Sequence, residues 1–227
     1  ALRGSELRMR RRRGALAGAA GTAVLLCLGA AVALAAPATI VGQADNTFNQ
    51  SSYSHDGSTV AQLTVGGSTH NATANATGPD GKALFRSATV SSGNTPVNGT
   101  QYLSAGSYPF ICTIHPSTMQ ATLNVIGTGL PRPTVDVAVS SRKLAKVLKK
   151  GKLAVKATTT GSPEVKLTAA LGKRTIGSGT IPAGGTTGTA KLTKAGKQAL
   201  AGKKKATVTV TGAIDFGAPD TAKAKLK

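Results

Sequence analysis

The chain has 227 residues, with 28 Lys and Arg against 8 Asp and Glu, a formal net charge of +20, and only 3% aromatic residues with no Trp. Two Cys exclude a disulfide scaffold and a Cys-rich zinc site, and 28 Gly with 10 Pro at 40% hydrophobic content fit neither a collagen nor a disordered chain. This length holds one large domain or two of about 100 residues each.

The charge is not spread evenly. Residues 1–37 carry six Arg and one Glu, residues 38–127 two cations and three Asp, and residues 128–227 the remaining twenty Lys and Arg against four acids, giving +5, −1 and +16. The first segment reads as an export signal over residues 1–36. Arginines at 10–13 precede an apolar stretch from Ala15 to about Ala35, which ends in the small residues of Ala33-Leu34-Ala35. The same stretch is long enough for an uncleaved membrane anchor, and the two readings stay open. Tandem arginines leave the export route open as well. Cys27 lies inside this stretch, behind Leu26, and reads as a bystander. Either way the rest of the chain is expected outside the cytoplasm: periplasmic, in the cell envelope or extracellular.

Past the signal a single Cys, Cys112, and a single Met, Met119, remain. An unpaired thiol in an oxidising compartment is a liability unless something occupies it, and a metal is the natural occupant. Around it the chain reads Tyr108-Pro109-Phe110-Ile111-Cys112-Thr113-Ile114-His115-Pro116, with Met119 following and a second imidazole, His70, upstream beside Asn71. Thiolate, thioether and two imidazoles select copper over hard cations. Short alternating stretches at 59–65, 70–76, 83–90, 106–111 and 120–126, separated by Gly, Asn, Pro and Asp turns, predict a β-sandwich. Six of the seven aromatics fall here, where the denser core is expected. His55, in Ser54-His55-Asp56-Gly57, reads as a solvated turn residue and not as a ligand.

Residues 37–127 resemble a cupredoxin, the plastocyanin, amicyanin and azurin family of blue copper proteins. The likeness rests on the Gly57–Val60 turn, the His70-Asn71 pair, the Tyr108–Pro116 run and the closing strand around Leu123. It implies a Greek-key β-sandwich holding one type 1 copper ion, with His70, Cys112, His115 and Met119 as ligands. It also implies that Asn71 and Thr113 tie the ligand loops together and donate hydrogen bonds near the Cys sulfur. Two features depart from the usual pattern: the four-residue step from His115 to Met119, and the strand Gln62-Leu63-Thr64-Val65, which lacks an aromatic.

Residues 128–133 read as a linker, and residues 134–227 as a Lys/Thr-rich immunoglobulin-like β-sandwich of the kind appended to exported bacterial proteins. Strands are predicted at 135–139, 152–156, 165–168 and 206–210, with short helical pieces at 141–150 and 193–201 capped by Gly151 and Gly202. Arg and aromatics are nearly absent from this half, so nucleic acid is not the expected partner. Anionic envelope polymers or an acidic redox partner protein are. A membrane enters only through an uncleaved anchor.

The functional expectation is a one-electron carrier cycling between Cu(II) and Cu(I). A copper enzyme would need further His pairs, and three His in the whole chain do not supply them. A non-redox copper-binding or cell-surface module, anchored by the basic half, is the standing alternative.

Overall fold

The computed structural model describes residues 36–227, so the segment expected to act as an export signal and Cys27 lie outside the described residues, apart from Ala36. The described chain is all-β and falls in one compact unit holding two sheets and two separate cores. No helix among the described residues is long and apolar enough to cross a membrane.

The first sheet contains β1 (Thr39–Gly42), β2 (Ser52–Asp56), β3 (Ala61–His70), β4 (Thr73–Ala74), β5 (Arg86–Ser87), β6 (Val90–Asn98), β7 (Gly106–Ile111) and β8 (Gln120–Ile126). Its order is β1-β3-β6-β5-β4-β7-β8-β2. β1 runs parallel to β3 and β2 parallel to β8, whereas the other neighbours are antiparallel. The two edges are drawn together where Gly42 bridges Phe48 and the Asn49 amide donates to the Val41 carbonyl.

Alternation supplies the core. β8 buries Ala121, Leu123 and Val125 and turns its other residues outward, as a period of two requires. Phe110, fully buried, meets Phe48 at 5.1 Å and Tyr53 and Phe85 at 6.0 Å between ring centroids. Such pairs add about 0.5–1.5 kcal/mol each beyond the area they bury. This cluster fixes β7 at Phe110, two residues before Cys112.

His55 differs from its sequence reading. It is fully buried rather than solvated, because β2 alternates against β8 and places Tyr53 and His55 on the inner face. The Ala38 amide donates to its Nδ1 (3.1 Å), and its Nε2 donates to the Thr59 carbonyl (3.1 Å), which is the neutral tautomer. Burial holds the ring below the ordinary imidazole value of 6.5. Between the two pKa values the unfolded chain binds a proton that the folded one refuses. The stability from the neutral ring is therefore complete above about pH 6.5 and drains away below it, by at most about 1.4 kcal/mol per pH unit. Urea melts of metal-free protein at neutral and mildly acid pH check this. His55→Asn is expected to cost about 1–3 kcal/mol at neutral pH and to flatten the acid dependence. An unchanged acid slope would assign the loss to other groups.

The second sheet contains β9 (Val135–Val139), β10 (Lys152–Thr159), β11 (Val165–Leu171), β12 (Arg174–Ile181), β13 (Thr187–Leu192), β14 (Ala206–Ala213) and β15 (Asp220–Leu226). Its order is β15-β14-β11-β12-β13-β10-β9, and β9 returns to pack on β15, closing the sheet around its core. β10 alternates cleanly, with Leu153, Val155 and Ala157 inside and Lys152, Ala154 and Lys156 outside. α1 (Leu144–Lys150) ends as predicted at Gly151, whose left-handed backbone (φ 63) returns its amide to Val147 and Leu148. α2 (Lys194–Leu200) starts with the Thr193 hydroxyl accepting the Gly196 amide. Its C-cap is not Gly202 but Ala201, in extended conformation, and the left-handed glycine follows one residue later.

The two halves meet around Phe216, a non-glycine residue at φ 64. Its ring lies under the Arg86 guanidinium at 4.1 Å and beside Tyr102 at 6.2 Å, and its amide donates to Asp80. Arg86 also pairs with Asp80 and Asp215 at 3.0 Å, and Lys82 with Asp215 at 2.8 Å. Burial pushes the Asp80 carboxyl up, but the Phe216 and Lys82 amides and Arg86 outweigh it and hold the group below the ordinary range. The linking residues are tied down too: the Leu130 amide donates to the Gln101 carbonyl at 2.7 Å.

Candidate metal centre

β3 slips register between Gly66 and His70, and this irregularity delivers His70 to the end of the strand. The imidazole is fully buried. Its Nε2 lies 2.8 Å from the Gln43 carbonyl, an acceptor only, so Nε2 carries the proton and Nδ1 a lone pair. That Nδ1 is buried without any hydrogen-bond partner. An orphaned lone pair in the interior costs about 1–3 kcal/mol unless something binds it.

The partners stand close by. Cys112, a fully buried free thiol, follows β7 directly, and its Sγ lies 3.9 Å from Nδ1 of the half-buried His115. The His70 and His115 rings are 5.3 Å apart at 68°. One donor atom from each of His70, Cys112 and His115 lies within 4.8 Å of the others. An ion bonded at about 2.0 Å to nitrogen and 2.3 Å to sulfur holds its donors roughly 3.5–4 Å apart. The unpartnered Nδ1, the buried thiol and these separations together fit a metal ion.

The loop bearing Cys112 and His115 is closed on itself. The Cys112 amide donates to the Met119 carbonyl (3.0 Å), the His115 amide to the Cys112 carbonyl (3.2 Å) and the Met119 amide to the His115 carbonyl (2.9 Å). Met119 is fully buried and belongs to the same core as Cys112. A two-point clamp joins this loop to the His70 segment across 42 residues of sequence. Asn71 Nδ2 donates to the Thr113 hydroxyl (2.7 Å), and the Thr113 amide donates to Asn71 Oδ1 (2.9 Å). The clamp is a closed pair of hydrogen bonds. Its hydrogen bonds run between Asn71 and Thr113, and on to Thr89 (3.0 Å) and Thr73 (3.3 Å), not to the Cys sulfur.

No family model matches the chain, and no curated protein does. Among solved structures, the chain is similar to a reduced Cu(I) form of an amicyanin variant, at 19% identity and a TM-score of 0.31 over 40% of this chain and 85% of that one. It is similar to auracyanin A, a "blue" copper protein of the green thermophilic photosynthetic bacterium Chloroflexus aurantiacus, at 15% identity and a TM-score of 0.31 over 40% of this chain and all of that one. A Ca2+-stabilised ice-binding adhesin of an Antarctic bacterium aligns over 85% of this chain and 49% of its own, at 17% identity and a TM-score of 0.26. At these scores the likenesses decide nothing. The case for the site rests on its own side chains.

Three contributors carry no signature in the sequence. The Gln43 carbonyl acts through the backbone. Gly42 lies so near His70 that a Cβ there would sit 2.7 Å from the ring's Cδ2. Ser87 accepts the Ala72 amide (2.9 Å) and so holds the residue next to Asn71.

Proposed function

We propose that the chain is an exported one-electron carrier with a type 1 copper site: His70, Cys112 and His115 as strong ligands and Met119 as a weaker fourth. The carrying observation is the buried, unpartnered Nδ1 of His70 beside a buried thiol and a second imidazole. A thiolate with two imidazoles, and a thioether on the same loop, is a set that copper satisfies and that hard cations do not.

Bound copper would supply a Cu(II)/Cu(I) couple. The chain supplies the rest. The Gln43 carbonyl fixes the His70 tautomer, and the Asn71–Thr113 clamp keeps the two ligand segments in register. Burial of His70, Cys112 and Met119 excludes water. His115, half-buried between the exposed Ile114 and Pro116, is the route by which an electron reaches a docked partner protein. The third histidine, His55, is engaged by backbone on both nitrogens, which favours a carrier over an enzyme with a second metal.

Adding Cu(II) to metal-free protein is the test. The expected result is an intense visible absorption that saturates at one copper per chain and bleaches reversibly on reduction. Copper that binds without this band would sink the type 1 reading. A band that neither bleaches nor returns would leave the non-redox module as the function.

A further inference from the structure

The second sheet ends, where β9 stops and β10 starts, in a groove of about 370 Å³ lined by Arg142, Lys143, Lys146, Lys150 and Lys152 with Ser140. α1 forms its wall. Burial of Leu144 and Val147 against the core leaves Lys143, Lys146 and Lys150, at steps of three and four, along one exposed flank. The floor is small because Ala154 and Thr189 face each other across β10 and β13. On the same strands Lys152 stands directly opposite Lys191, a like-charge pair that destabilises a sheet. Lys227 ties β15 to this end, since its amide donates to the Arg142 carbonyl and its carbonyl accepts the Leu144 amide. A second recess, lined by Lys205, Lys225 and Lys227, adjoins it.

None of these cations makes an ion pair among the described residues. The three ion pairs among the described residues all involve Asp80 or Asp215. Asp215 follows β14, whereas Lys205 precedes it, and eight strand residues separate the two ends by about 26 Å. Water and mobile counterions screen these exposed lysines, and a bound polyanion would relieve the repulsion that remains. The cations are mostly Lys, which holds a phosphate as a point charge without a planar fork, and no aromatic lines the groove to stack on a base. The exposed large apolar residues, Ile114, Ile126 and Leu130, all precede this half, so nothing here enters a bilayer.

We infer that this pole binds a linear polymer of phosphate groups lacking nucleobases. The site is separate from the copper reading and stands or falls without it. The full chain is titrated with long-chain inorganic polyphosphate at several salt concentrations. Two charge-matched triple variants are compared, Lys143→Gln/Lys146→Gln/Lys150→Gln and Lys156→Gln/Lys173→Gln/Lys223→Gln; all six lysines are exposed. The first is expected to weaken binding about tenfold and to lower the salt slope by about two, while the second stays near the parent protein. Equal losses in both would overturn the site in favour of diffuse attraction. Anionic phospholipid vesicles or single-stranded DNA that compete as well as polyphosphate would overturn the ligand class.

Discussion

Replacing Cys112 by Ser is expected to abolish the visible band of the copper-loaded protein while leaving a folded chain. The side chains are nearly isosteric, and the loop is held by backbone bonds between Cys112, His115 and Met119 that the change does not touch. What disappears is the thiolate, the one donor here whose charge transfer to copper gives intense colour. A hydroxyl keeps its proton at neutral pH and is a hard, weak donor, so two imidazoles remain with nothing soft between them. The hydroxyl also enters a fully buried position, at a cost of about 1–3 kcal/mol unless it finds an acceptor. Thermal melts of the metal-free variant, set beside absorption spectra after Cu(II) addition, separate the two effects. A coloured, copper-loaded Cys112→Ser protein would exclude this thiol as the ligand.

The second large effect is expected at Gly42, a residue with no chemistry of its own. A methyl there would approach His70 Cδ2 to 2.7 Å and Cγ to 3.1 Å, closer than carbon atoms sit in packed interiors. The ring cannot yield easily, because the next residue, Gln43, holds its Nε2 at 2.8 Å and the protein surrounds it completely. Gly42→Ala therefore displaces the imidazole or breaks that hydrogen bond. Copper affinity is expected to fall about 10–100-fold, with about 1–3 kcal/mol of overpacking cost to the fold. Gly66→Ala is the matched control, since a Cβ there meets nothing within 4 Å. Competition against a chelator of known affinity reads the result. Equal affinities in the two variants would show that β1 does not position His70.

The side chains that gather at the site were legible because donor chemistry is written in residue type. A lone Cys with His115 and Met119 within eight residues has few other uses, and His70 was the histidine left beside Asn71. The supports were not legible. Gln43 acts through a carbonyl that every residue has, and Gly42 is one of 28 glycines. His55 was misread because Ser54-His55-Asp56-Gly57 looks like a polar turn, and only the parallel pairing of β2 with β8 turns it inward. Strands were found where alternation is clean, with β7, β8 and β9 at their predicted limits. β1 and β2 went unread, since polar residues interrupt β2 and only four residues make up β1, and β13 and β15 went unread as well. β6 contains Gly93 and Pro96 and reads as a turn. Yet β5 pairs only with its Val97 and Asn98, so most of it is an edge, where a sheet tolerates both. Gly177 and Gly179 disguised β12 in the same way.

The joint at Phe216 bears on how modular this molecule is. The two cores are separate, and a cut after Gly127 would keep every proposed copper ligand. Their surfaces are not separate. Such a fragment would lose Asp215 and the ring beneath Arg86, along with the Leu130 amide that satisfies Gln101. It would also bare the backbone at Gly99, where the Phe216 ring now fills the space a Cβ would occupy at 2.7 Å. Arg86 neighbours Ser87, whose hydroxyl holds Ala72 next to Asn71, so the wound would open one step from the clamp on the ligand loops. The half that carries the proposed copper ligands is a domain by its core and half of a whole by its skin.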